Sequence, residues 1–503
     1  MSTAEPTGPS AGPDPTEQQL SEDRIAKLGT LARRGVSILV LRTVIVQLTT
    51  LVGQIALARL LVPSDFGIFA IVQFALSFFV FFGDAGLGGA LIQKKEAPTQ
   101  RELSSVFFTQ LMIAAAVIVV VAVSSSFMRV VWPDLPESGP WLLRALSFQF
   151  LLTTLRTIPN ILMERELHFG RLAIIDLCDN LTFYTIAITL AATGQGVWAF
   201  VIAVLAQGTV ATTLAYSLRP FRPSLVFDRT LLRPILRFGV PFQMNRVVGF
   251  VNSALTPLYA GAKLGANPLG FINWSQSTAY FPLRLVDIFG RIAFPLYSRL
   301  QDDKPVLGET FGRTVHLCAA FAAFFVALFF GLGSQLIVIV FGGKWLPALP
   351  VLQVYAAAIS VGFLAPLVGA VLDATGRPQV LFRLAICWTA LNWLVVPLTT
   401  PKWGMMGFAI GYCVHVVVGN LVLIVVAERL VPHARVLRRL VVPAIAGGAT
   451  FVVARLCAGW VGSLFTLVPT LVLLAATHVL VLLLIGKRGI KDALSLIPSI
   501  PRK

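Results

Sequence analysis

Charge is what this chain most lacks. Asp, Glu, Lys and Arg make up only 13% of its 503 residues, about half the share of an ordinary soluble domain. Acids are the scarcer sign, 23 against 40 bases, for a formal net charge of +17. Cysteines are also few: Cys178, Cys318, Cys387, Cys413 and Cys457 all lie in apolar stretches and none forms a C-x-x-C. That spacing suggests neither a disulfide framework nor a zinc site, and buried thiols of this kind act as small packing residues. No G-x-S-x-G, H-E-x-x-H or Walker A pattern is present. No polar stretch is long enough to hold a nucleotide domain, so an ATP-driven pump is excluded. No catalytic residue, metal or cofactor is expected.

Apolar residues fill the space that charge leaves. They make up 56% of the chain, and the mean hydropathy is +0.82. They gather in runs such as Met112–Val123 and Thr470–Ile485, and one bilayer crossing needs about 20 such residues. A soluble globular enzyme, a disordered protein and a nucleic-acid binder are thereby excluded. The sequence reads as an all-α polytopic membrane protein embedded in a lipid bilayer. Residues 1–30 form a separate tail: 1–23 hold four prolines and five acids but no base, a composition that predicts disorder.

About fourteen spans are expected, near 35–61, 66–92, 103–127, 141–163, 170–193, 196–218, 233–257, 270–298, 312–340, 350–374, 380–399, 404–427, 439–458 and 464–486. Short loops join them, with proline and glycine at points such as Pro63 and Gly194. One alternate set of loops and termini carries 28 Lys and Arg, and the other carries five, Arg59, Arg129, Lys263, Lys344 and Lys402. The positive-inside rule puts the rich set, with both termini, in the cytoplasm. The outward loops are short, the longest running from about 128 to 140. A membrane-embedded glycan polymerase or glycosyltransferase is expected to carry a larger polar loop.

An internal repeat is visible. Phe66-Gly67-Ile68-Phe69, Gln73 and Asp84 are matched by Leu269-Gly270-Phe271-Ile272, Gln276 and Asp287, all 203 positions on. Six spans separate the copies. The repeat therefore runs parallel, an N-lobe over 31–230 and a C-lobe over 231–430, with two extra spans and a tail over 431–503. Parallel halves of this kind mark transporters.

Polar residues at membrane depth are costly, a charged one by about 2.5–3.5 kcal/mol, and they fall at helical spacing. Asn273, Gln276, Tyr280, Arg284, Asp287 and Arg291 share one face of the eighth span. Thr43, Gln47, Thr50 and Gln54 share one face of the first. Asn245, Arg246 and Asn252 in the seventh span, Arg156 in the fourth and Asp176 in the fifth add to these. Facing stripes from both lobes would enclose a wet central cavity. Asp287 can instead neutralise itself between Arg284 and Arg291, and Arg42 and Arg156 can snorkel to an interface. Asp84, set among glycines 83, 86, 88 and 89, suits either a helix kink or a coupling group; Asp287 and Asp176 are further coupling candidates. His316, His415 and His478 stand without an acid at ligand spacing and are expected to pack or anchor.

The run Gly53–Phe69, followed by Gly83–Gln93 and Arg237–Pro241, resembles the polysaccharide transporter family, the Wzx-type flippases of the multidrug/oligosaccharidyl-lipid/polysaccharide exporter superfamily. The resemblance implies two six-helix lobes forming a V, alternating access, and an oligosaccharide on undecaprenyl diphosphate as substrate. It also implies a place in the bacterial inner membrane and work alongside a polysaccharide polymerase and glycosyltransferases. On that footing Arg246, Arg284 and Arg291 are candidates for the diphosphate, since a guanidinium fork suits phosphate oxygens. Asn245, Asn252, Asn273, Gln276 and Tyr280 are candidates for sugar hydroxyls, and Gln47, Gln54, Arg42 and Arg156 for further cavity contacts. A multidrug/cation antiporter of the same superfamily and a membrane-embedded glycan polymerase or ligase are the alternatives.

Overall fold

The structure, a computed structural model, describes residues 41–83, 96–224 and 247–485, together with Leu87, Leu91, Asp228 and Arg237. Helices α1 (Leu41–Leu60) and α2 (Pro63–Gly83) are followed by α3 (Gln100–Ser124), α4 (Gly139–Arg165), α5 (Phe169–Ala192) and α6 (Trp198–Leu218). Then come α7 (Val247–Ala254), α8 (Ala266–Leu300), α9 (Lys304–Leu336), α10 (Leu349–Gly362) and α11 (Leu364–Ala374). The chain ends in α12 (Pro378–Leu430), α13 (Val436–Cys457) and α14 (Leu464–Ile485). Among the described residues there is no strand.

The helices start where local chemistry satisfies their free N–H groups. Thr99 and Glu102 form a reciprocal capping box on α3. Asp303 accepts from the Val306 N–H at 3.1 Å to open α9. Proline stands in the first turn of α4, α9, α10 and α12, where its missing N–H costs nothing. Helix α12 runs for 53 residues, far more than one crossing, and doubles back at Trp403–Gly404. Gly404 takes a φ of 55°, which a residue without a Cβ adopts without strain. Beyond it Gly411 packs on Val396 and Gly419 on Trp388, so the two halves lie antiparallel.

Nine helices among the described residues are long and apolar enough to cross a membrane by length and composition. Large apolar side chains stand fully outward, Phe465 at 92% and Val130 at 77% exposure, which water would penalise and hydrocarbon accepts. The chain is thus an all-helical, multi-pass membrane protein.

Helices α5 and α6 pack together, as do α3 and α4, while α10 packs on α8, α9 and α12. Helices α13 and α14 lie outside these, docked on α9 through α13. The two sets meet where α2 crosses α8. Gly67 faces the Ala266 carbonyl and Gly270 faces the Pro63 carbonyl so closely that a methyl group on either glycine would overlap the opposing oxygen. Pro63 and Ala266, like Gly67 and Gly270, stand 203 positions apart. The repeat seen in sequence is therefore a reciprocal backbone contact in space.

Candidate functional site: a cavity between two sets of helices

The end of the bundle where α2 and α8 cross is tightly closed. The Trp345 indole, fully buried, donates to the Ala58 carbonyl at 2.8 Å. Lys344 donates to the Arg59 carbonyl at 2.8 Å. Arg59 donates in turn to the Val340 carbonyl at 2.7 Å and to that of Ile339. Those carbonyls lie in a π-helical turn, Ile337–Phe341, at the end of α9, where terminal oxygens lack intrahelical partners. Across the crossing, Trp132 donates to the Pro257 carbonyl at 3.2 Å, again in a π-helical stretch, Leu255–Ala260, which continues α7.

Beneath this closure lies a cavity of about 670 Å³, lined from α1, α2, α7, α8, α9 and α10. Its polar groups include Gln54, Gln73, Ser77, Asn273, Ser277 and Thr278. Between them stand aromatic rings such as Phe66, Phe74, Phe250, Trp274 and Phe281. The mixture of flat apolar faces with a few amides and hydroxyls suits an amphipathic ligand.

Of the residues singled out in sequence, Gln54, Asn273 and the repeat residue Gln73 line this cavity. Asn245, Arg246 and Asp84 lie outside the described residues, and so do the side chains of Asp287 and Arg291. Arg284 sits one turn beyond Phe281 on α8, half-buried. The described lining is more aromatic than the stripes alone suggested, because rings from α2, α7 and α9 join Trp274 and Phe281 of α8. Among the described residues lining it there is no charged side chain.

The other candidates gather elsewhere. Arg42 pairs with Asp176 at 2.5 Å and Arg156 with Asp179 at 3.2 Å, tying α1 and α4 to α5. Both arginines are thus paired with acids of α5, and Asp176 is the partner of Arg42. Asn180 donates to Thr50 at 3.3 Å in the same region, and the Gln47 side-chain oxygen is buried there without a partner. Asn252 accepts from Asn392 of α12 at 3.0 Å. Tyr280 turns inward, edge-on to Tyr355 and Tyr412 at ring distances of 6.5 and 6.3 Å, and Gln276 lies beside Tyr412. The α8 stripe thus divides: Asn273 reaches the central cavity, while Gln276 and Tyr280 face α10 and α12.

Trp132, Trp345, Ser277 and Asn392 carry no sequence signal that the polar-stripe reading used. An indole near the ends of the third and ninth spans was the one available hint for the tryptophans. Between α4 and α5, Glu166 is held below the ordinary glutamate range by hydrogen bonds from Arg219, at 2.6 and 3.0 Å. Among the described residues no group of three or more His, Cys, Asp or Glu converges as a metal site would.

The chain is thus a multi-pass helical bundle in which a repeated glycine motif crosses above a cavity closed at one end. The profile of a family described as "Polysaccharide biosynthesis protein" matches residues 56–350, more than half of the chain, and the chain belongs to that family. It is similar to the teichuronic acid biosynthesis protein TuaB of Bacillus subtilis, 28% identical over 59% of this chain and 62% of that one. It is also similar to the lipopolysaccharide biosynthesis protein WzxC of Escherichia coli, 23% identical over 74% of this chain and 75% of that one. The succinoglycan biosynthesis transport protein ExoT of Rhizobium meliloti is 24% identical over 66% of each chain. The match thus spans about three fifths of the length of TuaB and three quarters of that of WzxC. In fold, the chain superimposes on the lipid II flippase MurJ in an inward closed conformation, with a TM-score of 0.74 at 14% identity, covering 90% of this chain and 99% of that one. An inward-facing multidrug resistance transporter of the MATE family gives 0.59 at 14% identity, covering 78% and 95%. The Wzx-type assignment made from the Gly53–Phe69 run agrees with these relatives.

Proposed function

We propose that this protein is a flippase that carries oligosaccharides linked to undecaprenyl diphosphate across the bacterial inner membrane, from the cytoplasmic to the outer face, for surface polysaccharide synthesis. The observation that carries this reading is the cavity shared by both repeats, in a chain of a polysaccharide biosynthesis family. The names of TuaB, WzxC and ExoT support the sugar-polymer context.

In this reading fourteen spans cross the membrane, two six-helix lobes (31–230 and 231–430) form a V, and the last two helices stand apart. Both termini are cytoplasmic, so the interlocked end faces outward and the cavity is held in an inward-facing state. A sugar chain and diphosphate cannot cross hydrocarbon unaided, because hydroxyls and phosphates would lose their water. The amides and hydroxyls of Gln54, Gln73, Asn273 and Ser277 replace part of that water. Aromatic rings cover the apolar faces of the sugar rings. Arg284, with Arg246 and Arg291, meets the diphosphate, and the polyprenyl tail stays in lipid. A cytoplasm-negative potential favours outward passage of an anion by about 2.3 kcal/mol per charge per 100 mV. No covalent chemistry is required, and polymerase and glycosyltransferases act before and after the step.

Deletion should leave lipid-linked repeat units on the cytoplasmic face. Their appearance on the outer face would instead mark a polymerase or ligase, and a change in drug susceptibility alone would mark an antiporter. Arg284→Ala with Arg291→Ala should cut surface polysaccharide at equal protein level; normal output would remove these arginines from the mechanism.

A further inference from the structure

We propose that Trp132 and Trp345 are positioning residues that act as reciprocal latches, setting the balance between closed and open states of the interlocked end. The inference deepens the flippase reading and rests on it for which side of the membrane that end faces.

Each indole crosses from one set of helices to the other. Trp345 follows α9 and bonds the Ala58 carbonyl of α1 at 2.8 Å. Trp132 follows α3 and bonds the Pro257 carbonyl beyond α7 at 3.2 Å. In the repeat, α9 corresponds to α3 and α7 to α1, so each third helix holds the first helix of the opposite half. An indole N–H donates and cannot accept, so each bond has one polarity and one partner. The two latches join different pairs of helices, and opening one leaves the other in place. The halves can part at this end only when both let go.

The latches are unequal. Trp345 is fully buried, stacks on Trp274 at 4.8 Å and meets Phe66 edge-on at 5.2 Å. Trp132 is also buried, at 6% exposure, but its bond is longer, 3.2 Å against 2.8 Å. Trp345 is therefore the stronger hold. Phe66 and Trp274 also line the cavity, so anything that moves their rings acts directly on Trp345. A ligand seated beneath the closure has a packed route to the latch.

The test reads from which side the cavity can be reached. Ser77→Cys, in a chain whose five native cysteines are replaced by alanine, is labelled with a membrane-impermeant maleimide. The reagent is applied outside intact cells or to inverted vesicles. Phenylalanine keeps an aromatic ring and removes the N–H. A neutral hydrogen bond is worth enough that Trp132→Phe should raise outside labelling about threefold and Trp345→Phe about tenfold. Labelling from the cytoplasmic side should fall correspondingly, and the two effects should multiply in the double variant. A purely structural role would lower thermal stability and leave the ratio of the two labelling rates unchanged; that result overturns the proposal. If Trp345→Phe does not reach the membrane, Trp132→Phe alone carries the test with the same two outcomes. Labelling needs no substrate, so its failure is separable from failure of the flippase reading, which is scored by polysaccharide output.

Discussion

The carbonyl oxygen of Ala266 occupies the space that a side chain on Gly67 would need. The same holds between Pro63 and Gly270, so α2 and α8 touch backbone to backbone at two related points. Backbone cannot swing aside as a side-chain tip can. Gly67→Ala must therefore push the helices apart, and overpacking of this kind costs about 1–3 kcal/mol. The closed end should loosen, visible as faster outside labelling of a cavity cysteine. Gly249→Ala, where a Cβ meets no neighbour, should leave labelling unchanged.

The Arg156–Asp179 pair is about three quarters shielded on both sides. Removing one partner strands the other at membrane depth. Asp179→Ala should lower the midpoint of thermal unfolding in detergent, by more than the joint replacement Arg156→Met with Asp179→Leu, which removes both charges. Equal losses for the single and the joint change would show that the pair does not couple α4 to α5.

His478 of α14 contacts the Thr450 hydroxyl of α13 and the Ala320 carbonyl of α9, each at 2.9 Å. The first bond joins the two outer helices to each other, and the second ties α14 to the rest of the bundle. His478→Ala should cost about 2–4 kcal/mol, from lost bonds and the void left behind, and protease cleavage in the 458–463 loop should quicken.

The Glu166–Arg219 contact sets a pH dependence at the expected cytoplasmic loops. The folded carboxyl titrates below its unfolded value because Arg219 donates to it. Its stabilisation is therefore present above the ordinary glutamate range and disappears as pH falls through the lowered folded value. The difference in thermal midpoint between the native chain and Glu166→Gln should hold from pH 7 down to about 4.3, then vanish at lower pH. A difference that stayed constant throughout would deny the carboxylate any part.

Much of the architecture was legible because hydrocarbon allows few solutions. Apolar runs marked the helices, and the 203-residue offset marked the two helices, α2 and α8, that meet at Gly67 and Gly270. Helical periodicity also brought Gln54 and Asn273 to the cavity. It could not say which flank of α8 faces the opposite half, since a polar residue can also turn into its own set of helices, as Tyr280 does against the Tyr412 ring. Nor could it pair Arg42 with Asp176, or find Asn392 for Asn252, because partners more than a hundred positions apart leave no periodic trace. Trp132 and Trp345 were missed because both lie at helix ends, where the reading sought charge.

Helix α14 has only 11% of its most apolar window covered by protein. A stretch that meets mainly acyl chains is asked for greasiness and little else, so Leu, Ile, Val and Phe are nearly interchangeable along it. Natural variants should wander freely through these positions. His478, the point where the helix is fastened, should stand still among them.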